Sequence, residues 1–385
     1  MRKKILWLVS WYPNKLDAFD GDFIQRHAQA ASLYNDVHVI QVVADEKGVV
    51  TNSVYEEKNE AAGLTEHIIY FKKPASFFPR LLGFLKWKKL YKQSIKNYIS
   101  KNGLPHVVHV HVPVKAGLLA LWMKKKYGTK FIVTEHFGIY NKVDELNFAV
   151  RPAWFQQLTR SIFFAAEKFL TVSEYLGKGV NKFVLKKPFE IVPNVVNTEL
   201  FYLKESTHAR FRFIHVSNMV ALKNAEGILQ AAKQLREQGN FFELVMVGNR
   251  NDHYLHYARQ LGLDGSVIFK GEIPYQQVAA EMQQANAFIL FSNIENSPCV
   301  IGEALCCGLP VIATRVGGIP ELVNVQNGIL VKPGDIPALV QAMQKIIENY
   351  NRFNQQEISQ TAIEKFSYPV VGKKLDEIYQ SAGSS

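Results

Sequence analysis

Short apolar runs alternate with longer amphipathic segments along almost the whole chain of 385 residues. Apolar runs bounded by polar turns are typical of strands buried on both faces of a parallel sheet, and the segments between them have helical spacing. This alternation predicts βαβ units and an α/β fold. The predicted strands are 5–9, 37–43, 106–111 and 130–134, followed by a second series at 211–215, 242–247, 266–269, 287–291 and 310–313.

The chain is too long for one ordinary hydrophobic core and suits two domains of nearly equal size. Helical segments separate the predicted strands in both halves. They are 23–33, 81–99, 116–126 and 152–168, and then 225–238, 254–261 and 276–284. We therefore predict two Rossmann-like domains, 1–187 and 188–367.

Two glutamates eight positions apart mark the predicted site. The apolar run 287–291 ends shortly before Glu295, where open α/β sheets bind their ligands. Ser297 is a suitable N-cap and Pro298 suits the first position of a helix that would end near Gly308, so Glu303 would project from that helix. Both carboxylates are then expected to face one cleft. A glycine-rich turn follows the next strand, where backbone N–H groups at Gly317 and Gly318 could approach an anion.

The block 289–323 resembles the nucleotide-sugar site of retaining glycosyltransferases of family 4. It contains Glu-x7-Glu, then Glu-Ala-Leu-x-x-Gly-x-Pro-Val-Ile-Ala-Thr, then Gly-Gly-Ile-Pro-Glu. Segments 170–173, 191–197 and 216–224 are similar to further landmarks of that family, in the same order. The resemblance implies the GT-B fold, in which two Rossmann-like domains face each other across a cleft. It also implies that a C-terminal helix in 368–385 returns to the N-terminal domain.

The resemblance assigns donor contacts to residues of the second domain. Lys223, which follows the strand 211–215, would bind the diphosphate, because phosphate recognition requires a fixed cation. Glu303 would accept hydrogen bonds from the ribose hydroxyls, and Glu295 would accept them from the hydroxyls of the transferred sugar. The family usually has Arg five residues before this lysine, where this chain has Asn218. The further donor-binding residues are Ser297, Pro298, Cys299, Val300, Gly317 and Gly318, with a backbone donor also expected near Ile319.

In the first domain the resemblance places Gly21 near the donor phosphates and identifies His136 with the active-site histidine of the family. The catalytic residues are then His136, Lys223 and Glu295. His109 and His111 share one face of a strand, and we expect them to pack in the sheet or line the cleft, since a third metal ligand at useful spacing is lacking. We expect no metal and no cofactor.

The predicted activity is transfer of a hexosyl-type sugar, with retention, from a UDP- or GDP-sugar to a lipid-linked or polysaccharide-precursor acceptor. For retention, the resemblance implies front-face attack, with the departing phosphate taking the acceptor proton. One alternative is a nucleotide-sugar epimerase of the same fold. Another is a non-catalytic subunit that binds sugar nucleotides, which the Asn218 substitution suggests. A dinucleotide dehydrogenase is disfavoured because neither domain's first strand is followed by Gly-x-Gly-x-x-Gly.

Positive charge is concentrated in the first half of the chain. Residues 1–188 contain 29 basic and 15 acidic residues, and 72–101 contains nine basic residues and no acid. Apolar and aromatic residues are interleaved there, which favours peripheral contact with anionic lipid over a nucleic-acid interface, although a helix packed in the core is an alternative. The three cysteines, all within 299–307, indicate no disulfide framework. We therefore predict a cytoplasmic protein, peripheral at the inner face of the membrane.

Overall fold

The computed structural model describes residues 2–73, 78–141, 147–204, 210–249 and 252–383. The chain divides into two compact units, one comprising Met1–Pro193 with Tyr368–Ser385 and the other Asn194–Ser367. Each unit has its own sheet and its own buried apolar core. The boundary predicted after residue 187 comes before a short strand, Phe189–Ile191, that pairs with the first sheet. The structure divides the chain after that strand.

The N-terminal unit is built on an eight-stranded sheet. Its strands are β1 (Lys4–Val9), β2 (Asp36–Asp45), β3 (Val54–Ala61), β4 (Leu64–Lys72), β5 (Val107–His111), β6 (Phe131–Glu135), β7 (Phe169–Thr171) and β8 (Phe189–Ile191). Their order across the sheet is β3-β4-β2-β1-β5-β6-β7-β8. The β3–β4 pair is an antiparallel hairpin at one edge, whereas the other neighbouring pairs are parallel. The prediction of a parallel sheet is confirmed for its centre, and the hairpin is an addition to it.

Within the described residues of this unit, five α-helices precede the second sheet. They are α1 (Asp22–Ser32), α2 (Pro79–Asn102), α3 (Pro113–Tyr127), α4 (Ala153–Ala165) and α5 (Glu174–Phe183). The buried residues of the central strands β1, β5 and β6 contribute to one core with α2, α3 and α4. The carboxyl ends of these three parallel strands therefore lie next to one another along one edge of the sheet.

The C-terminal unit has a six-stranded sheet in the order β11-β10-β9-β12-β13-β14, and all of its neighbouring pairs are parallel. Its strands are β9 (Phe211–Val216), β10 (Phe242–Val247), β11 (Val267–Gly271), β12 (Ala287–Leu290), β13 (Val311–Thr314) and β14 (Gly328–Val331). Its helices are α6 (Ala225–Glu237), α7 (Asp252–Gln260), α8 (Tyr275–Gln283), α9 (Cys299–Cys306), α10 (Ile336–Glu348) and α11 (Gln355–Phe366). Two apolar clusters cover the two faces of this sheet. The second Rossmann-like domain is thus confirmed.

The last helix, α12 (Tyr368–Gly383), belongs to the N-terminal unit. It packs closely against α1, where a side chain at Gly372 would collide with the carbonyl oxygen of Ala30. An ion pair of 3.2 Å joins Lys3 Nζ to Asp376 Oδ1, and the Tyr379 hydroxyl lies 2.8 Å from His109 Nδ1. The return of the C-terminal helix, which the resemblance implied, is confirmed.

Candidate functional site

The carboxyl ends of β9 and β12 hold the predicted site of the C-terminal unit. These strands are parallel neighbours, so the loops that follow them lie side by side. The amide of Asn293, after β12, donates to the carbonyl oxygen of Leu222, in the short turn after β9, at 2.8 Å. The chain segments that carry Glu295 and Lys223 are therefore tied together by the backbone.

Lys223 and Glu295 form a direct ion pair. Lys223 Nζ lies 2.6 Å from Glu295 Oε1, and the two side chains are 22% and 9% exposed. Lys223 immediately precedes Asn224, the N-cap of α6, whose side chain accepts a hydrogen bond from the Gly227 amide. The lysine therefore stands at a helix N-terminus, where an anionic group is stabilised by backbone N–H groups as well as by the cation.

Glu303 is buried on α9, with 3% of its surface exposed. The hydroxyl of Tyr275, the first residue of α8, donates to its Oε1 at 2.7 Å. Burial, and secondarily the nearby Glu303 carboxylate, raises the pKa of the Cys306 thiol to about 12. This cysteine is therefore a protonated packing residue rather than a nucleophile.

The start of α9 differs from the prediction by one residue. Pro298 precedes the first helical residue, Cys299, and no side chain caps the helix. Ser297 is not the N-cap; its carbonyl oxygen accepts a hydrogen bond from Asn194 Nδ2 at 2.8 Å. The four residues predicted at this part of the donor site, from Ser297 to Val300, are each partly accessible. Residues 297–300 thus keep accessible surface next to the carboxyl end of β12.

A glycine turn follows β13. Gly317 has a φ of +55°, which residues with a side chain rarely adopt. In the part of the chain that the structure describes, the amides of Gly317 and Gly318 have no hydrogen-bond acceptor. The Ile319 amide, which was expected to be a further donor for the ligand, instead donates to the Val316 carbonyl oxygen at 3.1 Å. Two backbone donors, not three, remain for a ligand at this turn.

Asn218 is exposed in the loop after β9. The loop is fixed through His215, whose Nδ1 lies 2.9 Å from the Ile289 carbonyl oxygen and whose Nε2 lies 2.8 Å from Ser217 Oγ. Burial lowers the pKa of His215 to about 4, so this ring is neutral. Sequence reasoning overlooked both His215 and Tyr275, because neither belongs to a motif with a fixed spacing.

In the N-terminal unit, Gly21 precedes α1 with a φ of +67°. A Cβ atom at this position would lie 2.8 Å from the carbonyl carbon of Trp11, so a side chain is excluded by contact as well as by conformation. The loop after β1 is thereby held against the start of α1.

His136 follows β6 and is buried. Its Nε2 lies 3.1 Å from His111 Nδ1. The preceding residue, Glu135, accepts hydrogen bonds at 2.9 Å from the amides of His136 and Phe137, and at 2.7 Å from the Tyr140 hydroxyl. Burial raises the pKa of Glu135 to about 7, and these hydrogen bonds oppose the increase. The backbone on which His136 stands is therefore fixed by a buried carboxyl group.

His109 packs within the sheet, with Nδ1 on Tyr379 and Nε2 2.6 Å from Thr134 Oγ1. Across the described residues, no group of three or more His, Cys, Asp or Glu side chains is arranged to hold a metal ion. The predicted site residues thus form two groups, one in each unit. Lys223, Glu295, Glu303 and the glycine turn lie along the carboxyl edge of the second sheet, and Gly21 and His136 lie in the first unit.

Comparison with known families matches both halves of the chain. Residues 28–200 match the model of "Glycosyltransferase Family 4" and residues 203–365 match that of "Glycosyl transferases group 1".

Similar proteins include the putative teichuronic acid biosynthesis glycosyltransferase TuaC of Bacillus subtilis, 23% identical over 97% of this chain and 95% of TuaC. The N-acetyl-alpha-D-glucosaminyl L-malate synthase of Bacillus anthracis is 25% identical over 71% of this chain and 74% of that protein. Among solved structures, sucrose-phosphate synthase from Thermosynechococcus elongatus has a TM-score of 0.78 at 19% identity, covering 99% of both chains. Anabaena HepE, in complex with UDP and glucose, has a TM-score of 0.71 at 16% identity, covering 99% of this chain and 100% of that one. The fold is therefore GT-B.

Proposed function

The chain belongs to the glycosyltransferases of family 4, with the GT-B fold, and from this premise we propose that it transfers a hexosyl-type sugar, with retention of configuration, from a nucleotide-diphosphate sugar. The observation that supports this most strongly is the Lys223–Glu295 ion pair, which lies at the carboxyl edge of the second sheet. A cation, a buried carboxylate and two unpaired backbone donors occur there together. A diphosphate sugar presents the complementary groups, phosphate oxygens and hydroxyls.

In the proposed complex Lys223 and the Gly317–Gly318 amides bind the diphosphate. Glu303 accepts hydrogen bonds from the ribose hydroxyls, and Glu295 accepts them from the hydroxyls of the sugar. The donor is a UDP- or GDP-sugar. Lys223 neutralises charge that develops on the leaving phosphate, which is the kind of preorganised electrostatic stabilisation that lowers a barrier most. The leaving phosphate accepts the proton of the attacking hydroxyl, so no protein nucleophile is required. The reaction requires no metal ion.

The proposed acceptor is a lipid-linked or polysaccharide-precursor glycan. The relative TuaC is named for teichuronic acid biosynthesis, and it matches this chain over nearly its whole length. The N-terminal unit, with Gly21 and His136 at the carboxyl edge of its sheet, is the proposed acceptor-binding domain.

A panel of UDP- and GDP-sugars tests this proposal. We expect one of them to raise the melting temperature of the purified protein, because a ligand at 100 times its Kd adds about 2.7 kcal/mol of stability. With that donor and a lipid-linked acceptor, we expect product whose anomeric configuration by NMR is that of the donor, at a rate unchanged by EDTA. Isomerised donor without acceptor would instead identify an epimerase. Binding without transfer or hydrolysis over hours would identify a non-catalytic subunit.

We further propose that α2 carries a membrane-contact surface. Tyr91, Ile95 and Tyr98, toward its C-terminal end, are buried in the core, as in an ordinary amphipathic helix. Toward the N-terminal end, Phe78, Leu81, Leu82 and Leu85 are 70%, 58%, 40% and 50% exposed. Residues 74–77 of the predicted segment 72–101 lie outside the described residues. Within the described part of the chain, no helix combines the length and apolar content needed to cross a bilayer.

Replacing Leu81, Leu82 and Leu85 together with glutamine is expected to weaken binding to vesicles that contain phosphatidylglycerol. Each exposed leucine loses its apolar contact with the acyl region, while the nearby lysines retain about 1 kcal/mol each of attraction to anionic lipid. Sedimentation with phosphatidylglycerol vesicles and with neutral phosphatidylcholine vesicles measures the effect. Leu104→Gln is the matched control, since Leu104 is 51% exposed just beyond α2. Equal binding by the triple variant and the control would show that lipid contacts another surface.

A further inference from the structure

Two imidazole rings of the N-terminal unit form a hydrogen-bonded pair. His111, the last residue of β5, has its Nδ1 3.1 Å from Nε2 of His136, and the two rings are nearly parallel at an interplanar angle of 17°. Both side chains are buried, and burial is the main reason that the pKa of each lies well below its ordinary value. Both rings are therefore neutral at neutral pH, and each carries a single ring proton.

One of these two protons lies in the hydrogen bond between the rings. Either His111 Nδ1–H donates to His136 Nε2, or His136 Nε2–H donates to His111 Nδ1. The second proton is then on an outer nitrogen, which is His136 Nδ1 in the first arrangement and His111 Nε2 in the second. Both outer nitrogens are buried and have no hydrogen-bond partner within the described part of the chain.

The surroundings of His111 favour the first arrangement. Its ring stacks on Trp7 at a centroid distance of 4.0 Å and lies equally close to the ring of His109. A buried N–H group without an acceptor is rarer in proteins than a buried acceptor without a donor. In the second arrangement the unpaired N–H would belong to His111, within this aromatic packing. In the first it belongs to His136, which keeps 8% of its surface exposed, whereas His111 has no exposed surface.

We infer that His111 is a positioning residue for His136. Its Nδ1–H donates to His136 Nε2, which fixes the proton of His136 on Nδ1 and makes that N–H a donor for an oxygen atom of the bound acceptor. Glu135 holds the backbone of His136 and Phe137, so the ring is fixed from two sides. The identity of the ligand rests on the proposed function, whereas the proton arrangement rests on the geometry of the pair.

Two variants separate the hydrogen bond from the packing. His111→Asn places an amide N–H near the position of Nδ1 and keeps the donor, whereas His111→Phe keeps a ring against Trp7 and removes the donor. Nitrogen-15 NMR of the full chain, labelled at its 11 histidines, reports the protonated nitrogen of each ring. The His136 signals are identified by their loss in His136→Ala.

We expect His136 to be protonated on Nδ1 in the wild-type protein and in His111→Asn, and to shift toward the Nε2–H form in His111→Phe. Wild-type protein with His136 protonated on Nε2 would overturn the inference, whatever the variants do. This measurement needs no substrate. Absence of transferase activity would therefore refute the proposed function, while the NMR measurement would still test the proton arrangement of the His111–His136 pair.

Kinetics provide a second readout. We expect His111→Phe to lower kcat by about 10-fold, which corresponds to the loss of one neutral hydrogen bond, with little change in KM or Tm. We expect His111→Asn to retain most of the wild-type kcat. Equal losses of kcat in the two variants, in parallel with equal losses of Tm, would show that His111 acts through packing alone and would contradict the inference.

Discussion

Replacing Glu303 with alanine is expected to reduce the rate of sugar transfer by on the order of 10²-fold or more. The carboxylate is buried on α9 and is already oriented by the Tyr275 hydroxyl at 2.7 Å, so it does not have to reorganise when the donor binds. An ionised carboxylate can accept hydrogen bonds from two vicinal hydroxyls at once, and alanine can accept none with its side chain. The loss is expected mainly in donor binding, because the ribose is remote from the bond that breaks.

Donor titration by calorimetry and steady-state kinetics measure this effect. Glu303→Gln keeps the size of the side chain and removes its charge, so its loss should approach that of alanine. Tyr275→Phe removes one hydrogen bond to the carboxylate and should cost about tenfold. Glu348→Ala, an exposed glutamate at the end of α10, is the matched control. Wild-type donor affinity in Glu303→Ala would contradict the assignment of this residue to the donor.

The central strands could be predicted from sequence because burial on both faces leaves an unbroken apolar pattern. The strand predicted at 242–247 coincides with β10, and the prediction at 5–9 begins one residue after β1. In these segments local pattern and tertiary environment agree, so no knowledge of neighbours is required.

The edge of the first sheet could not be predicted in this way. Strand β3 has the sequence Val-Tyr-Glu-Glu-Lys-Asn-Glu-Ala and is largely exposed, so it has neither a continuous apolar run nor a full alternation. It is a strand because β4 supplies its backbone hydrogen bonds along its whole length. The hairpin turn contains Ala62 and Gly63 instead of the Asn-Gly or Asp-Gly pair that would have indicated it.

The candidate site shows a similar division. Glu295 and Lys223 were predicted from the ends of two strands, and the structure brings them together because those strands are parallel neighbours. Their direct pairing was not predicted, since sequence pattern does not give side-chain orientation between elements. Tyr275 reaches Glu303 from α8, and the His111–His136 pair joins two strand ends. Such contacts depend on sheet order and helix packing, which motif spacing does not contain.

Replacing Lys223 with alanine is the second change from which we expect a large loss, on the order of 10²-fold or more in kcat/KM. The lysine is the cation that the structure places at the start of α6 beside Glu295, in a chain that has Asn218 where the family usually has arginine. Asn218 carries no charge, so Lys223 is a larger share of the fixed charges that balance the leaving diphosphate. Removing one of them should affect the transition state more than the ground state, because negative charge on the phosphate grows as the bond breaks.

The ion pair makes this prediction more specific. Loss of Lys223 also leaves Glu295, with 9% of its side chain exposed, without the partner seen in the structure, so part of the effect arises from an uncompensated carboxylate. A double-mutant cycle with Lys223→Ala and Glu295→Gln separates the lost charge of Lys223 from the effect of the unpaired Glu295 carboxylate. We expect the increase in activation free energy of the double variant to be smaller than the sum of the two single increases. Lys233→Ala is the matched control for charge, because Lys233 lies farther along α6 and is also ion-paired, with Glu237. Strictly additive losses of free energy would show that Lys223 and Glu295 act independently. A Lys223→Ala enzyme with unchanged donor turnover would contradict the role assigned to Lys223.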